Sequence, residues 1–225
     1  MQIDVFTLFP EWFGWFQSQR HVRNALGLGH ELRLFNYRDM TPLSNGQVDD
    51  TPYGGGAGML IRVDVVDAAL QAAYGPQTGA MLAERRVVVL TPAGRRLDDA
   101  VADELAALDR ITLLCGRYEG VDERVREHLS NDALSIGPYV LSGGELAAMV
   151  VADTVIRKLP GALGDADSPL EESFSGALEG GVEYPHYTRP ASYRGWEVPA
   201  VLLSGHHEQV RNWRMEEARR RSAAG

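Results

Sequence analysis

The chain has 225 residues, of which 44% are hydrophobic and 24% are charged, enough for one large core or for a main domain with a small appendage. Its formal net charge of −9 argues against a protein that coats nucleic acid nonspecifically, but it leaves room for a local basic patch. A single cysteine, Cys115, excludes an intrachain disulfide and a thiolate metal cluster. No window has the apolar length of a membrane helix and the N-terminus lacks signal-peptide features, so we expect a cytoplasmic protein.

The first two-thirds of the chain alternate predicted strands with predicted helices. The predicted strands are QIDVFTLF, HELRLFNY, RVVVLTP, ITLLCG and parts of DALSIGPYVLSGG, and the predicted helices are an aromatic-rich stretch at 12–16, DVVDAALQAAY, LDDAVADELAAL, VDERVREHLS and GELAAMVVADTVIRKL, which Pro160 ends. Residues 38–58 form a long polar stretch between them, and loops of that length are usually functional or disordered. This alternation predicts an α/β fold whose parallel sheet is covered by helices on both faces.

The last third of the chain differs in composition. Residues 161–181 are poor in apolar side chains and rich in Gly, Asp, Ser and Pro, which indicates an interdomain linker. Beyond it come PHYTRP, WEVPAVLLSG and a terminal helix HHEQVRNWRMEEARRR, for which Ser204 is the expected N-cap. We therefore expect a main domain at 1–160, a linker at 161–181 and a small, mainly helical C-terminal domain at 182–225.

Three glycine-rich loops each follow a predicted strand and precede a predicted helix. They are LTPAG at 90–94, CGRYEG at 115–120 and LSGGE at 141–145. In open parallel sheets, ligands bind outside the carboxyl ends of the strands, so the three loops together predict one pocket; the alternative is that each is a tight turn. The chain has neither a GxGxxG loop after a strand nor a GK[ST] sequence, which argues against a Rossmann dinucleotide site and a P-loop.

Five motifs resemble the bacterial tRNA (guanine-N1)-methyltransferase family: VDDTPYGGGAGM at 48–59, LLCGRYEGVDERV at 113–125, SIGPYVLSGGE at 135–145, PHYTRP at 185–190 and VPAVLLSGHH at 198–207. The resemblance implies a SPOUT fold with a deep trefoil knot, S-adenosylmethionine as cofactor and a homodimer with shared active sites. It also implies a dependence on magnesium, although no metal-ligating cluster is evident in the sequence. The implied reaction is methylation of N1 of the guanosine at tRNA position 37, in the anticodon stem-loop.

The resemblance also assigns residues. Those that match the family's cofactor loops are Thr91, Pro92, Gly116, Arg117, Tyr118, Glu119, Gly120, Ile136, Gly137, Tyr139, Leu141, Gly143 and Gly144. Arg157 matches the arginine that the family uses near the target base, and Glu172 lies where the family places its general base. These types suit the chemistry, because N1 of guanine must lose a proton and negative charge then develops at O6.

Further side chains are candidates for contacts with RNA. Asp49, Asp50 and Tyr53 lie in the polar stretch and are candidates to clamp the base or a partner subunit. The candidates for phosphate contacts are Arg189, Arg211, Arg214, Arg219, Arg220 and Arg221. A solvated helix face is the alternative for the terminal arginines, and a salt-dependent affinity for RNA distinguishes the two.

The chain departs from the family pattern in three ways. Glu172 replaces an Asp, which keeps the carboxylate but moves it by about one ångström, a shift that can cost roughly 100-fold in rate. Pro138 also replaces an Asp, and the sequence stops at Gly225, before a further segment expected to add to tRNA binding. Three hypotheses follow: a tRNA guanine-N1 methyltransferase, a SPOUT methyltransferase with another acceptor such as a small molecule, peptide or other RNA, and a catalytically weak RNA-binding homologue.

Overall fold

A computed structural model describes residues 1–76, 78–163 and 172–223. The chain divides into two compact units, Met1–Gly164 and Asp165–Gly225. Part of the predicted linker, at 164–171, lies outside the described residues. None of the described helices is both long and apolar enough to cross a lipid bilayer.

The first unit is built on alternating strands and helices. Its strands are β1 (Gln2–Thr7), β2 (Glu31–Asn36), β3 (Asp49–Asp50), β4 (Leu60–Ile61), β5 (Arg86–Arg96), β6 (Arg110–Cys115) and β7 (Asp132–Ser135). Its helices are α1 (Phe13–Gln17), α2 (Arg20–Gly27), α3 (Tyr37–Met40), α4 (Val63–Tyr74), α5 (Thr78–Glu84), α6 (Asp99–Ala106) and α7 (Glu145–Lys158), with short 3-10 turns at Pro10–Trp12 and Ser44–Gly46 and a π-helical turn at Val125–Leu129.

The central sheet has five strands in the order β2-β1-β6-β5-β7, and all of its pairings are parallel. The predicted α/β fold with a central parallel sheet is therefore confirmed. β3 and β4 form a separate antiparallel ribbon, in which Asp50 pairs with Leu60. Because the strands of the central sheet are parallel, the glycine-rich segments of β5, β6 and β7 lie at the same end of the sheet, the end at which the strands have their carboxyl termini.

The core lies on both faces of the sheet because successive side chains of a strand point to opposite faces. In β5, Val88 and Leu90 pack with α2 and α7 on one face, whereas Val87 and Val89 pack with α4 on the other. Both clusters consist of almost fully buried side chains. Each buried Val or Leu contributes about 1.5–3 kcal/mol to folding, so the two layers stabilise the frame that carries the loops.

A buried network of charged and polar side chains lies at the amino end of this sheet. Asp4 of β1 is 0% exposed and accepts hydrogen bonds from Arg33 Nε at 2.7 Å, Arg85 Nη1 at 2.9 Å, the Tyr74 hydroxyl at 2.7 Å and Gln2 Nε2 at 2.8 Å. Burial raises the pKa of Asp4, but the hydrogen bonds from Arg33, Tyr74 and Gln2 outweigh it and hold that pKa below its usual value. The Arg85 guanidinium also stacks 3.7 Å from the Tyr74 ring centroid.

The structure corrects two sequence predictions in the first unit. The helix predicted at VDERVREHLS is present but shorter than the motif: residues 123–124 are α-helical, Val125–Leu129 form a π-helical turn, and the Asp122 carboxylate accepts the Arg124 backbone N–H at 3.0 Å where the helical segment begins. The loop predicted at 90–94 does not end β5: pairing with β7 stops at Leu90 and resumes at Arg95, so residues 91–94 interrupt a longer strand. Helix α5 had no counterpart among the predicted elements.

The second unit contains a 3-10 turn (Gly176–Leu178), a hairpin of β8 (Ser192–Tyr193) and β9 (Trp196–Glu197), and the helices α8 (Ala200–Leu203) and α9 (His207–Ser222). Leu178, Tyr184 and Ala218 form its small buried cluster. The prediction that Ser204 caps the terminal helix is wrong, since His206 occupies that position without a side-chain bond. The Ser204 hydroxyl instead donates to the Val201 carbonyl at 2.7 Å, at the end of α8.

Candidate functional site

A cavity of about 400 Å³ opens at the carboxyl ends of β5, β6 and β7. All thirteen residues predicted for the three glycine-rich loops line it. The structure therefore brings together segments that lie up to 53 positions apart, from Thr91 to Gly144. Other lining residues, which the sequence patterns did not single out, include Val121, Glu123, Arg126, Val140 and Ala147.

The first loop, residues 91–94, passes very close to β7. A Cβ atom added to Gly94 would lie 2.5 Å from the backbone nitrogen of Leu134, so only glycine fits there without movement of the backbone. The Thr91 hydroxyl accepts the Ala93 backbone N–H at 3.3 Å, which shapes the turn. Thr91 and Pro92 consequently face the cavity at a fixed distance from β7.

The second loop is held by backbone contacts. The Gly144 N–H donates to the Gly116 carbonyl at 2.8 Å, and a Cβ atom on Gly144 would lie 2.7 Å from the Cα atom of Cys115. Arg117 forms backbone bridges to Gly120 and Gly143. These contacts hold the backbones of the second and third loops close together at this wall of the cavity.

One residue of the second loop has an unusual backbone conformation. Tyr118 has φ = 61°, in the left-handed region, and is exposed at the mouth of the cavity. Aromatic residues rarely adopt this conformation, and such strain concentrates at functional sites. The conformation supports a binding role for this loop.

Residues 136–140, between β7 and the third loop, form a tight turn. The Tyr139 hydroxyl donates to the Ile136 carbonyl at 3.1 Å, and the Tyr139 ring covers Gly137, where a Cβ atom would lie 2.1 Å from a ring carbon. Pro138, between them, is exposed, so the missing N–H of this proline belongs to a position that faces solvent. The Ser135 hydroxyl joins the loop to the end of β7 through the Gly137 carbonyl, at 3.1 Å.

The ribbon of β3 and β4 fixes the outer side of the second loop. The Glu119 N–H donates to the Met59 carbonyl at 3.0 Å, and the Ile61 N–H donates to the Gly120 carbonyl at 3.0 Å. Gly58 lies directly against the Glu119 side chain. The motif at 48–59 thus contacts the cavity wall, and Tyr53 within it is 100% exposed.

A buried carboxylate lies behind the loops. Glu145, the first residue of α7, is 1% exposed; it accepts a hydrogen bond from the Thr7 hydroxyl at 2.9 Å and pairs with Arg117 at 3.5 Å. Burial raises the pKa of the Tyr37 hydroxyl and of the Cys115 thiol, and the Glu145 charge raises both further. The sequence motif LSGGE contains Glu145, but no local pattern shows that its partners are 138 and 28 positions away.

The two predicted catalytic residues lie in different units. Arg157 is half-buried in the last turn of α7, whereas Gly144, which lines the cavity, lies at the opposite end of that helix. The 14 residues of α7 separate the two by about 20 Å. Glu172 is half-buried in the second unit, where its backbone carbonyl accepts the Ser175 N–H at 3.0 Å.

The arginines of α9 make contacts within the second unit. The Arg214 guanidinium stacks 4.9 Å from the Tyr184 ring centroid, and Arg220 pairs with Glu217 at 2.7 Å. Arg221 donates to the Glu183 carbonyl at 3.1 Å. Arg211 and Arg189 are exposed. The exposed arginines are thus the better candidates for phosphate contacts, since stacking on Tyr184 occupies one face of Arg214.

Metal ligands are a separate question. Within the ranges 1–76, 78–163 and 172–223, no group of three or more His, Cys, Asp and Glu side chains is arranged to hold a metal ion. The described residues therefore do not fit a protein-made magnesium cage.

The parallel sheet and the cavity at the carboxyl ends of its strands define an α/β protein with a cavity where ligands of such sheets commonly bind. A family model, tRNA (Guanine-1)-methyltransferase TrmD, matches residues 1–224, and the chain belongs to that family.

Curated relatives agree with this assignment. The chain is 48% identical over 229 residues to a tRNA (guanine-N(1)-)-methyltransferase of Brevibacillus brevis. The aligned region covers 100% of this chain and 89% of the relative. It is 47% identical over 223 residues to the protein of that name from Dehalococcoides mccartyi, covering 99% of this chain and 87% of the relative. It is 48% identical over 222 residues to the tRNA (guanine-N(1)-)-methyltransferase of Pelotomaculum thermopropionicum, and the aligned region covers 97% of this chain and 85% of the relative.

Proposed function

We propose that this chain transfers a methyl group from S-adenosylmethionine to N1 of the guanosine at position 37 of tRNA. The observation that carries the proposal is the single cavity lined by all three glycine-rich loops, in a chain that belongs to the tRNA (guanine-1)-methyltransferase family. Since the acceptor is tRNA, we also propose the cytoplasm as its location. The other two hypotheses, a different acceptor and a weak RNA-binding homologue, are less favoured by relatives at this level of identity.

The cavity suits an adenosyl ligand. Its volume of about 400 Å³ and its mixture of main-chain groups with Leu141, Ile136 and Val140 resemble small-molecule sites, which are mostly apolar with a few fixed polar groups. When bound there, S-adenosylmethionine supplies an electrophilic methyl group on its sulfonium. The main-chain groups of the second and third loops orient the ligand, and a trefoil-knotted arrangement of the loops is part of the proposal.

Two side chains act on the acceptor in this proposal. Glu172 accepts the proton of guanine N1, which makes the N1 lone pair available for an in-line attack on the methyl group; the bond between that carbon and sulfur would break, with S-adenosylhomocysteine as the leaving group. Arg157 stabilises the negative charge that develops at O6. Magnesium stays an expectation from the family resemblance, and no step of the proposed reaction is assigned to it.

The position of Arg157 supports a homodimer with shared active sites. About 15 Å of helix separate Arg157 from Ala147, which lines the cavity, and Arg157 is not among the residues that line the cavity of its own chain. An arginine from a second copy removes this difficulty. The small C-terminal domain, at 182–225 by the sequence, is proposed to hold the anticodon stem-loop through exposed arginines such as Arg189 and Arg211.

The activity is tested by transfer of a labelled methyl group to an unmodified tRNA transcript with guanosine at position 37. A transcript with adenosine at that position is the control. Label on the first transcript alone, mapped to N1, supports the proposal. Binding of the cofactor without transfer to either transcript contradicts it and favours a different acceptor.

Shared sites are tested by complementation. Arg157→Ala and Glu172→Ala are each expected to abolish turnover while S-adenosylhomocysteine still binds. When Arg157→Ala chains are co-expressed with Gly144→Ala chains, a shared site restores activity, because one site of the mixed dimer has intact loops and an intact arginine. Sites contained within one chain would leave the mixed dimer inactive.

A further inference from the structure

Glu145 is a charged side chain that the proposed reaction does not use. It is 1% exposed and follows Gly144, whose backbone lines the cavity. An ionised carboxylate is costly to bury unless partners satisfy it. Its two partners are the Thr7 hydroxyl, at 2.9 Å, and Arg117 Nη1, at 3.5 Å.

Each partner belongs to a different part of the site. Thr7 is the last residue of β1, Arg117 is in the second loop, and Glu145 itself begins α7 directly after the third loop. One carboxylate therefore joins the sheet, the second loop and the helix that follows the third loop. A connection of this kind is a means of preorganising a site.

The Arg117 side chain is anchored by two aromatic rings and by Glu145. Its guanidinium lies 4.5 Å from the Phe9 ring centroid and 5.2 Å from that of Trp12, so aromatic faces and the Glu145 carboxylate surround it. Its backbone forms the bridges to Gly120 and Gly143. A fixed guanidinium thus fixes the main-chain groups on both sides of the second loop.

We infer that Glu145 is a positioning residue that acts through Arg117 to hold the second loop in the form that binds the adenosyl cofactor. The inference rests on the proposed function. It assigns the Arg117 side chain to the support of the loop. Affinity for the cofactor product therefore depends on this ion pair, while affinity for tRNA does not.

The test is the dissociation constant for S-adenosylhomocysteine, measured by calorimetry on the full chain. Glu145→Gln keeps the size of the side chain and an amide oxygen for Thr7, but it removes the charge that holds Arg117. The expected dissociation constant rises about tenfold, equivalent to about 1.4 kcal/mol, with tRNA affinity nearly unchanged. The melting temperature is expected to fall, because the substitution removes a buried charge that faces Arg117, so binding is measured at a temperature at which the variant is folded. The matched control is Glu84→Gln, because Glu84 pairs with Arg110 at 3.0 Å on the exposed surface.

A double-mutant cycle separates positioning from general stability. Arg117→Met is expected to weaken S-adenosylhomocysteine binding to a similar extent, and Glu145→Gln added to it is expected to weaken binding no further. Multiplicative losses would overturn a role through Arg117. Unchanged affinity in a folded Glu145→Gln protein would overturn the inference alone, whereas an unmutated chain that binds no S-adenosylhomocysteine would overturn the proposed function.

Discussion

The two ends of the central sheet solve the problem of buried polar groups in different ways. At the amino end, one carboxylate, Asp4, is saturated by Arg33, Arg85, Tyr74 and Gln2, and all of these donors are side chains. At the carboxyl end, glycine-rich loops leave main-chain groups along a cavity. The contrast suggests a division of roles. Side-chain hydrogen bonds stabilise the amino end of the sheet, and the glycine-rich loops at the carboxyl end surround a cavity.

Glu145 is a buried carboxylate, as Asp4 is, but it lies at the carboxyl end of the sheet, next to the cavity. It is as buried as Asp4, yet within the described part of the chain two side chains, Thr7 and Arg117, bond to it. Its bonds fix segments around a cavity, whereas those of Asp4 join neighbouring strands and helices. The comparison predicts that substitutions at one end change stability and that those at the other end change binding.

The largest effect on binding is expected at Gly144. Gly144→Ala places a Cβ atom 2.7 Å from the Cα atom of Cys115, so the backbone of the second loop has to move. Displacement on the ångström scale can cost on the order of 100-fold, and we expect a loss of that size in affinity for S-adenosylhomocysteine, measured by calorimetry. Gly14→Ala is the control, since nothing lies within 4 Å of the added Cβ atom. If Gly144→Ala binds S-adenosylhomocysteine as tightly as Gly14→Ala does, the predicted difference between the carboxyl and amino ends of the sheet is wrong.

The largest effect on stability is expected at Asp4. Asp4→Asn leaves Arg85, whose side chain is 7% exposed, without its carboxylate, and breaking a buried pair typically costs about 3–5 kcal/mol. Urea unfolding at neutral pH measures this loss. Glu84→Gln, which affects only an exposed pair at the same end, is expected to cost less than about 1 kcal/mol. Affinity of the folded Asp4→Asn protein for S-adenosylhomocysteine should stay near that of the unmutated chain.

The contribution of Asp4 is also expected to depend on pH. Because its pKa is lower in the folded state, Asp4 stabilises the fold fully above the pKa of an unfolded aspartate, about 3.9, and less as pH falls through the folded value. The difference in unfolding free energy between the unmutated chain and Asp4→Asn should therefore be constant near neutral pH and shrink in acid. A difference that grows as the pH falls below about 4 would contradict the assignment.

The smallest effect is expected at Tyr139. Tyr139→Phe removes one hydrogen bond, to the Ile136 carbonyl, and keeps the ring that covers Gly137. A neutral hydrogen bond contributes about 0.5–1.5 kcal/mol, so we expect affinity for S-adenosylhomocysteine to fall by roughly threefold. Tyr193→Phe, at an exposed ring in the second unit, provides the comparison. An identical affinity in both variants would show that the third loop keeps its form without this bond.

Most of the first unit follows from sequence periodicity. The buried strands β1, β5 and β6 and the long helix α7 are predicted because their apolar patterns are local. Helix α5 was not predicted, since only one of its residues, Met81, is buried and the apolar pattern is weak. The helix predicted at VDERVREHLS is present at 123–129, and Asp122 accepts the Arg124 N–H at its start, but helical composition does not distinguish the π-helical form of Val125–Leu129 from an α-helix.

The site was predictable to the extent that it depends on local glycine patterns and on the resemblance. Residues of all three predicted loops lie around one cavity, but their cofactor roles stay a prediction, as do the catalytic roles of Arg157 and Glu172. The support from Glu145 was not predictable, since its contact with Thr7 spans 138 positions. A contact over that distance is set by the packing of the whole sheet, which no local pattern encodes.

The close approach of Gly144 to Cys115 has a consequence for inhibitor design. A compound that binds the main-chain groups of this wall contacts atoms that every amino acid carries, so a change of side chain cannot remove them. At Gly144 itself, any other residue would bring a Cβ atom into the backbone of its neighbour. The enzyme therefore has few single substitutions by which to escape such a compound and still bind its own cofactor.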